Sequence, residues 1–133
     1  MTRLTSWLTG ALLDHSTWML ELFLAVQALV WGLWLLAPWE AFAVLPSAFT
    51  ILGMIPEPVW GVIFTAHGAL HLIALSRGDL RFCRRAVLAL AGLWAAVFVS
   101  LFITIPSATT SPIYGMNLMG SALVYLSLHR RFA

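Results

Sequence analysis

Four apolar runs, each long enough to cross a lipid bilayer, occupy most of this 133-residue chain. An α-helix rises ~1.5 Å per residue, so about 20 apolar residues match a hydrocarbon core that is ~30 Å thick. The runs therefore predict an all-α fold, a bundle of four transmembrane helices that forms one membrane domain over residues 1–133. They comprise residues 17–37, 58–76, 85–105 and 111–128.

The composition excludes an ordinary soluble domain. Hydrophobic residues make up 62% of the chain and charged residues 9%, whereas soluble domains carry about 25% charged residues. The formal net charge is only +2, and no basic run is interleaved with aromatic side chains, so nucleic acid is not expected as a partner. The partner that this composition predicts is the lipid bilayer.

The connection between the first two runs, residues 38–57, is unusually apolar for a loop. Although this loop is long, Pro46 divides it into stretches whose length excludes a further span. We predict an interfacial segment of one or two short helices, flanked at the membrane surface by Trp39 and Trp60.

Several residues mark where the predicted helices begin and end. Residues 1–13 carry apolar side chains at helical spacing and predict a short amphipathic helix before the first span. Ser16 and Thr17 then cap the first span. Pro58 suits the first turn of the second span, and Gly78 suits its end.

All seven strongly basic residues are arginines, and they fall on one side of the predicted topology. Arg3 precedes the first run, four arginines lie in the predicted loop 77–85, and two follow the last run. Short basic loops stay in the cytoplasm, so we predict that both termini and this loop are cytoplasmic. The loop arginines are interpreted as topology anchors that can also contact lipid headgroups or a protein partner. They are Arg77, Arg81, Arg84 and Arg85.

Small residues recur on each predicted span and favour close contact between helices. They predict a compact bundle and, equally, a bundle that self-associates into a homo-oligomer. The first two spans carry Ala25, Ala28 and Gly32, and Gly61, Thr65 and Gly68. The last two carry Ala91, Gly92, Ala95 and Ala96, and Gly115 and Gly120.

Five polar side chains are embedded in the apolar runs: Glu21, Gln27, His67, His71 and Asn117. Polar groups within a membrane usually face the interior of a helix bundle. His67 and His71 share one helix face, and their depths predict that His71 lies near Glu21 and His67 near Gln27. We interpret these residues as interhelical hydrogen-bonding groups that fix the register of the helices, with proton or ion conduction as the alternative.

The sequence predicts no metal site, no cofactor and no enzyme activity. A zinc site needs three or four ligands, and Glu21 is the only further ligand at the depth of the two intramembrane histidines, so a His-His-Glu site is an alternative that the sequence indicates only weakly. Those histidines share one helix, so they cannot clasp a haem from two helices. Cys83, the only cysteine, has no internal disulfide partner and is interpreted as an incidental residue at the membrane interface. We find no nucleophile accompanied by a base.

The order of several short motifs resembles that of a known group of proteins. The apolar loop runs into Pro56-Glu57-Pro58-Val59-Trp60-Gly61, the third span contains Leu93-Trp94, and residues 106–110 precede Tyr114-Gly115. In this order, residues 18–130 resemble the small four-span integral membrane proteins of tailed bacteriophages. The resemblance implies residence in the bacterial inner membrane, and it implies no catalytic residue or cofactor.

Three functions fit these observations. The first is a phage-type membrane protein that oligomerises in the host inner membrane and alters its permeability, as a holin does. The second is an interaction protein that docks on a host membrane protein, for example to exclude a second phage. The third is a proton- or ion-conducting subunit that uses Glu21, His71, His67 and Gln27.

Overall fold

The computed structural model describes the backbone of residues 2–38, 41–44, 46, 49–105 and 111–130, and most of their side chains from Thr17 onward. The described residues form helices and turns and contain no strand. The helices are α1 (Thr2–Leu36), α2 (Ala41–Val44), α3 (Glu57–Arg77), α4 (Leu80–Thr104) and α5 (Ser111–Arg130), with a 3-10 turn at Leu52–Met54.

Three of the described helices are long and apolar enough to cross a membrane. They are the Thr17–Leu36 part of α1, α3 and α4. The predictions of an all-α fold and of a membrane protein are thereby confirmed at this level. The helix α5 forms where the fourth span was expected, but it is not among these three, so its passage through the bilayer stays a prediction.

The four long helices form a ring in which α1 packs along α3 and α4 packs along α5. Smaller contacts between α3 and α4 and between α1 and α5 close the ring. We call the end of the bundle at Gly78 the turn end and the end at Leu52 the loop end.

Glycines bring the backbones of α1 and α3 into direct contact. A Cβ atom on Gly68 would lie 2.5 Å from the backbone nitrogen of Leu29 and 2.8 Å from the carbonyl oxygen of Ala25. A Cβ on Gly32 would overlap the backbone and side chain of Thr65. Because lipid offers no hydrophobic drive for association, such close van der Waals packing is what holds membrane helices together. The predicted small-residue contact between the first two spans is confirmed.

The first helix is longer than predicted. Helix α1 runs without a break from Thr2 to Leu36, so the expected separate helix at residues 1–13 and the cap at Ser16 and Thr17 are wrong. The physical reason is that no proline precedes Pro38, and a helix that has already formed gains a hydrogen bond with each added residue.

The predicted arginine loop 77–85 is also wrong, because most of it is helix. Only Gly78 and Asp79 connect α3 to α4. Gly78 adopts a left-handed conformation with φ 66°, which suits glycine at a helix end. The Asp79 carboxylate then accepts a hydrogen bond of 3.0 Å from the Phe82 amide and caps α4. This compact turn starts α4 five residues earlier than the predicted start at residue 85.

Short helical elements occur between α1 and α3, as predicted, although their position relative to a membrane surface stays a prediction. The amide of Phe42 in α2 donates to Glu57 Oε2 at 2.9 Å. Trp60 is buried, and its indole Nε1 donates to the Leu52 carbonyl oxygen at 2.9 Å. Trp60 therefore connects the 3-10 turn to α3, and its predicted level at the membrane surface stays a prediction. Trp39 lies outside the described residues.

One ring from each long helix meets in the half of the bundle nearer the loop end. The rings belong to Trp31, Phe64, Trp94 and Tyr114, which we call the aromatic cluster. Ring centroids are 4.7 Å apart for Trp31 and Phe64, 5.0 Å for Phe64 and Trp94, and 5.8 Å for Trp94 and Tyr114. Such tilted, close arrangements are favourable for aromatic pairs. The aromatic cluster ties all four helices together.

Candidate functional site

Three chemically active side chains meet near the turn end of the bundle. They are Glu21 of α1, His71 of α3 and Cys83 of α4, which we call the polar cluster. Their exposed fractions are 3%, 0% and 1%. His71 Nε2 lies 3.0 Å from Glu21 Oε1, and one ligand atom from each of the three residues lies within 4.8 Å of the others.

Two of the three members, His71 and Cys83, are positioned by features of their own helices. Gly68 lies on α3 one turn before His71, and its contact with the backbone of α1 brings the imidazole within reach of Glu21. The Asp79 carbonyl accepts a 2.9 Å hydrogen bond from the Cys83 amide, so the cysteine lies on the first turn of α4. From there its side chain points into the bundle.

Sequence reasoning placed Glu21 beside His71 but missed Cys83. The cysteine is buried within the bundle, not incidental at an interface. A signal was present in the chain, because Cys83 begins the inward stripe of α4 at three- and four-residue spacing. That stripe consists of Cys83, Val87, Leu90, Trp94, Val97 and Leu101. Arg84 and Arg85 interrupt the apolar run directly after Cys83, so hydropathy alone starts the span after the cysteine and hides this stripe.

A cavity of about 150 Å³ adjoins the polar cluster. Its wall includes Glu21 and Cys83, Thr17 of α1, and Gly78 and Leu80 at the turn between α3 and α4. The volume is sufficient for several water molecules. The cavity therefore gives small ions and water a place directly beside the buried carboxylate and thiol.

His67 continues the polar side chains one turn further along α3. The centroids of the His67 and His71 rings are 6.0 Å apart. Neither His67 Nε2 nor His71 Nδ1 has a hydrogen-bond partner among the described residues. Buried polar atoms without partners are uncommon in folded proteins, so these nitrogens call for an explanation.

Gln27 does not bond to His67 in the described residues, although the sequence placed the two at similar depth. Its Oε1 atom is buried without a partner among them. The side chain borders a larger, open groove of about 470 Å³ on the outer face of α1, which is lined by exposed side chains such as Phe23 and Val30 and, from α5, by Tyr114. The amide thus lies where the polar residues approach the aromatic cluster.

Asn117 is buried on α5. Its backbone carbonyl accepts a 2.9 Å hydrogen bond from Ser121 Oγ, and its Nδ2 atom has no partner within the described part of the chain. The structure therefore gives Asn117 a place in the packing of α5 and, among the described residues, no hydrogen bond from Nδ2 to Gln27 or to either histidine.

The four arginines singled out in the sequence surround the turn end. Arg77 lies in the last turn of α3, and Arg81, Arg84 and Arg85 lie in the first two turns of α4. Arg77, Arg81 and Arg85 are exposed and Arg84 is half-buried. Their side chains can reach lipid headgroups or a protein partner, a role that stays a prediction.

The polar cluster can hold a proton or a positive ion. A carboxylate and an imidazole at hydrogen-bond distance stabilise each other when charged and can also share one proton as a neutral pair. A thiol beside them adds a ligand that binds metals when it is deprotonated. No family model, curated protein or solved structure matches this chain. The functional assignment therefore depends on this geometry alone.

Proposed function

We propose that this chain is an integral membrane protein with four spans that conducts protons along Glu21, His71, His67 and Gln27. The observation that carries the proposal is the buried contact of 3.0 Å between His71 Nε2 and Glu21 Oε1. Ionisable pairs are costly inside a membrane and usually mark an ion or proton path.

The surface of α5 supports its role as the fourth span. The helix has 20 residues, which gives a length of ~30 Å at ~1.5 Å per residue. Before His129 near its end, the large side chains that α5 exposes are apolar, as a lipid-facing surface requires. They are Ile113, Met116, Met119, Leu123 and Leu126. The arginines at the turn end favour a cytoplasmic position for that end.

In the proposed path, protons enter from the cavity beside Glu21 at the turn end. Glu21 passes the proton to His71 across their hydrogen bond, and His71 passes it to His67 one helical turn away. Histidine suits this role because its two ring nitrogens can accept a proton on one side and donate one on the other. A bridging water molecule would have to carry the proton from His67 to Gln27, because the two side chains share no hydrogen bond. Gln27 borders the larger groove, and the aromatic cluster lies beyond it toward the loop end.

Proton flux into liposomes tests the proposal. Purified protein is reconstituted into vesicles that contain a pH-sensitive dye. A potassium diffusion potential that is negative inside the vesicles then drives protons inward. The wild-type protein is expected to acidify the lumen faster than protein-free vesicles do, and the double variant His67→Ala with His71→Ala should not. His129→Ala, a change at an exposed histidine of α5, is the matched control and should retain flux. Wild-type flux equal to that of empty vesicles would refute the proposal.

A second candidate is the phage-type protein that assembles and permeabilises the host inner membrane. One observation favours it: Ala89, Gly92 and Ala96 form an exposed row of small residues on α4, and no described atom lies within 4 Å of a Cβ built on Gly92. Small residues on an exposed face allow close approach of a second copy.

Assembly and membrane potential are measured together to test this candidate. Chemical cross-linking in membranes should give a ladder of oligomers, and expression in bacteria should abolish the membrane potential. Gly92→Leu should prevent both effects, whereas Ala122→Leu at an exposed position of α5 should not. A monomer that leaves the potential intact would exclude this function.

A further inference from the structure

We propose that the polar cluster binds a divalent, thiol-preferring metal ion of the Zn²⁺ type through Glu21, His71 and Cys83. The inference concerns ligand binding and does not rest on proton conduction, although a bound ion would occupy the Glu21 and His71 side chains through which the proposed path runs. Its basis is the convergence of three different ligand types from three helices at a fully buried point.

The distances between the ligand atoms suit a single small cation. Zinc binds carboxylate oxygen, imidazole nitrogen and thiolate sulfur at ~2.0–2.3 Å, so tetrahedral ligand atoms lie about 3.4–3.7 Å apart. Here His71 Nε2 and Glu21 Oε1 are 3.0 Å apart, and the Cys83 sulfur lies within 4.8 Å of a ligand atom of each of these two residues. Small side-chain rotations would open the first distance and shorten the others.

Charge balance favours a divalent ion. A glutamate carboxylate and a cysteine thiolate together supply two negative charges, and a neutral imidazole supplies none. A cation of charge two therefore makes the buried group electrically neutral, which removes most of the penalty for holding charges away from water.

The ligand types favour zinc over magnesium or calcium. Thiolate and imidazole prefer borderline or soft ions, whereas magnesium and calcium prefer oxygen ligands throughout. The adjoining cavity of about 150 Å³ lies on the side of Glu21 and Cys83, where a water molecule can complete a tetrahedral set. The cavity also provides the route by which the ion enters from the turn end.

Cobalt substitution tests the site directly, because Cys83 is the only thiol in the chain. The full-length protein, purified without a polyhistidine tag, is titrated with Co²⁺ in detergent micelles. A thiolate-to-cobalt charge-transfer band and the visible bands of tetrahedral cobalt are expected, and Zn²⁺ should displace both. Cys83→Ser should abolish the charge-transfer band, and His71→Gln or Glu21→Gln should weaken Co²⁺ binding by more than about tenfold.

Two controls make the result decisive. His67→Gln changes the neighbouring histidine of α3, and the double variant His15→Ala with His129→Ala removes the two histidines outside α3; both should bind Co²⁺ as the wild type does. Circular dichroism confirms that each variant folds. A wild-type protein without the charge-transfer band, or a band that survives unchanged in both Glu21→Gln and His71→Gln, would overturn the proposal.

Discussion

The contact between Glu21 and His71 contributes little net stability, whereas the loss of one of the two side chains costs much more. Removing each charged group from water costs several kcal/mol, and their attraction offsets much of that cost. The net contribution is therefore small, and hydrogen bonds between membrane helices average only about 0.6 kcal/mol. Deleting one partner is different, because the remaining group stays buried with nothing to satisfy it.

We therefore expect His71→Leu to destabilise the bundle by about 1–3 kcal/mol, since it leaves the Glu21 carboxylate buried without its partner. The double variant Glu21→Leu with His71→Leu should lose less than the sum of the two single changes. Unfolding in mixed detergent and sodium dodecyl sulfate micelles measures these free energies. Strictly additive losses would show that the two side chains do not interact.

At the scale of elements, the bundle is held by two unlike kinds of contact. Helices α1 and α3 touch through glycine backbone, as at Gly68, and leave no room for a side chain. Helices α4 and α5 meet through larger groups, and a Cβ on Gly115 would lie 3.1 Å from the ring of Phe98. The α1–α3 contact is the less tolerant of the two because backbone atoms cannot move aside as a ring can.

Alanine substitutions at two helical glycines should consequently have opposite effects. Gly68→Ala inserts a methyl group against the backbone of Leu29 and should destabilise the protein by about 1–3 kcal/mol. Gly92→Ala meets no described atom and should be neutral or stabilising by up to about 1 kcal/mol, because alanine is the better helix former. Thermal unfolding in detergent distinguishes the two. Equal tolerance of both changes would contradict the close approach of α1 and α3.

For the whole molecule, the distribution of exposed apolar side chains indicates that the bundle is surrounded by lipid. Large hydrophobic side chains are exposed on all four long helices, including Phe23, Val62, Phe102 and Met119. Soluble monomers rarely expose continuous apolar surface of this extent. The bundle therefore has an apolar exterior and a partly polar interior, which is the arrangement that a bilayer stabilises.

This arrangement predicts that the two ends of the bundle lie on opposite sides of a membrane. In a Cys83→Ser background, Met54→Cys places a thiol at the loop end and Arg81→Cys places one at the turn end. A membrane-impermeant maleimide added to intact bacterial spheroplasts should label Met54→Cys only. Lysis should expose Arg81→Cys as well. Labelling of both variants in intact spheroplasts would refute the predicted orientation.

Much of the architecture was predictable because hydrophobic length is a strong constraint in membranes. The predicted span 58–76 lies within α3, Glu57–Arg77, and the predicted span 111–128 lies within α5, Ser111–Arg130. The predictions are wrong where the end of an apolar run does not coincide with the end of a helix. Arginines end an apolar run but do not end a helix, so the sequence predicts a loop where the first turns of α4 lie.

The candidate site was predictable only in part. Depth along two helices correctly brought Glu21 to the level of His71. Depth alone could not place Cys83, because its level depends on where the two-residue turn ends; only the apolar stripe of α4 indicates that it faces inward. The sequence likewise could not reveal that Gln27 borders a groove beside the aromatic cluster.

The aromatic cluster gives the protein a spectroscopic signal that reports contact between its helices. The indoles of Trp31 on α1 and Trp94 on α4 lie 5.5 Å apart, close enough for their excited states to couple. Near-ultraviolet dichroism from that coupling depends on the mutual orientation of the two rings. Separation of the α1–α3 pair from the α4–α5 pair would therefore abolish this signal while the individual helices stayed folded. Near-ultraviolet dichroism can thus follow assembly of the bundle in lipid.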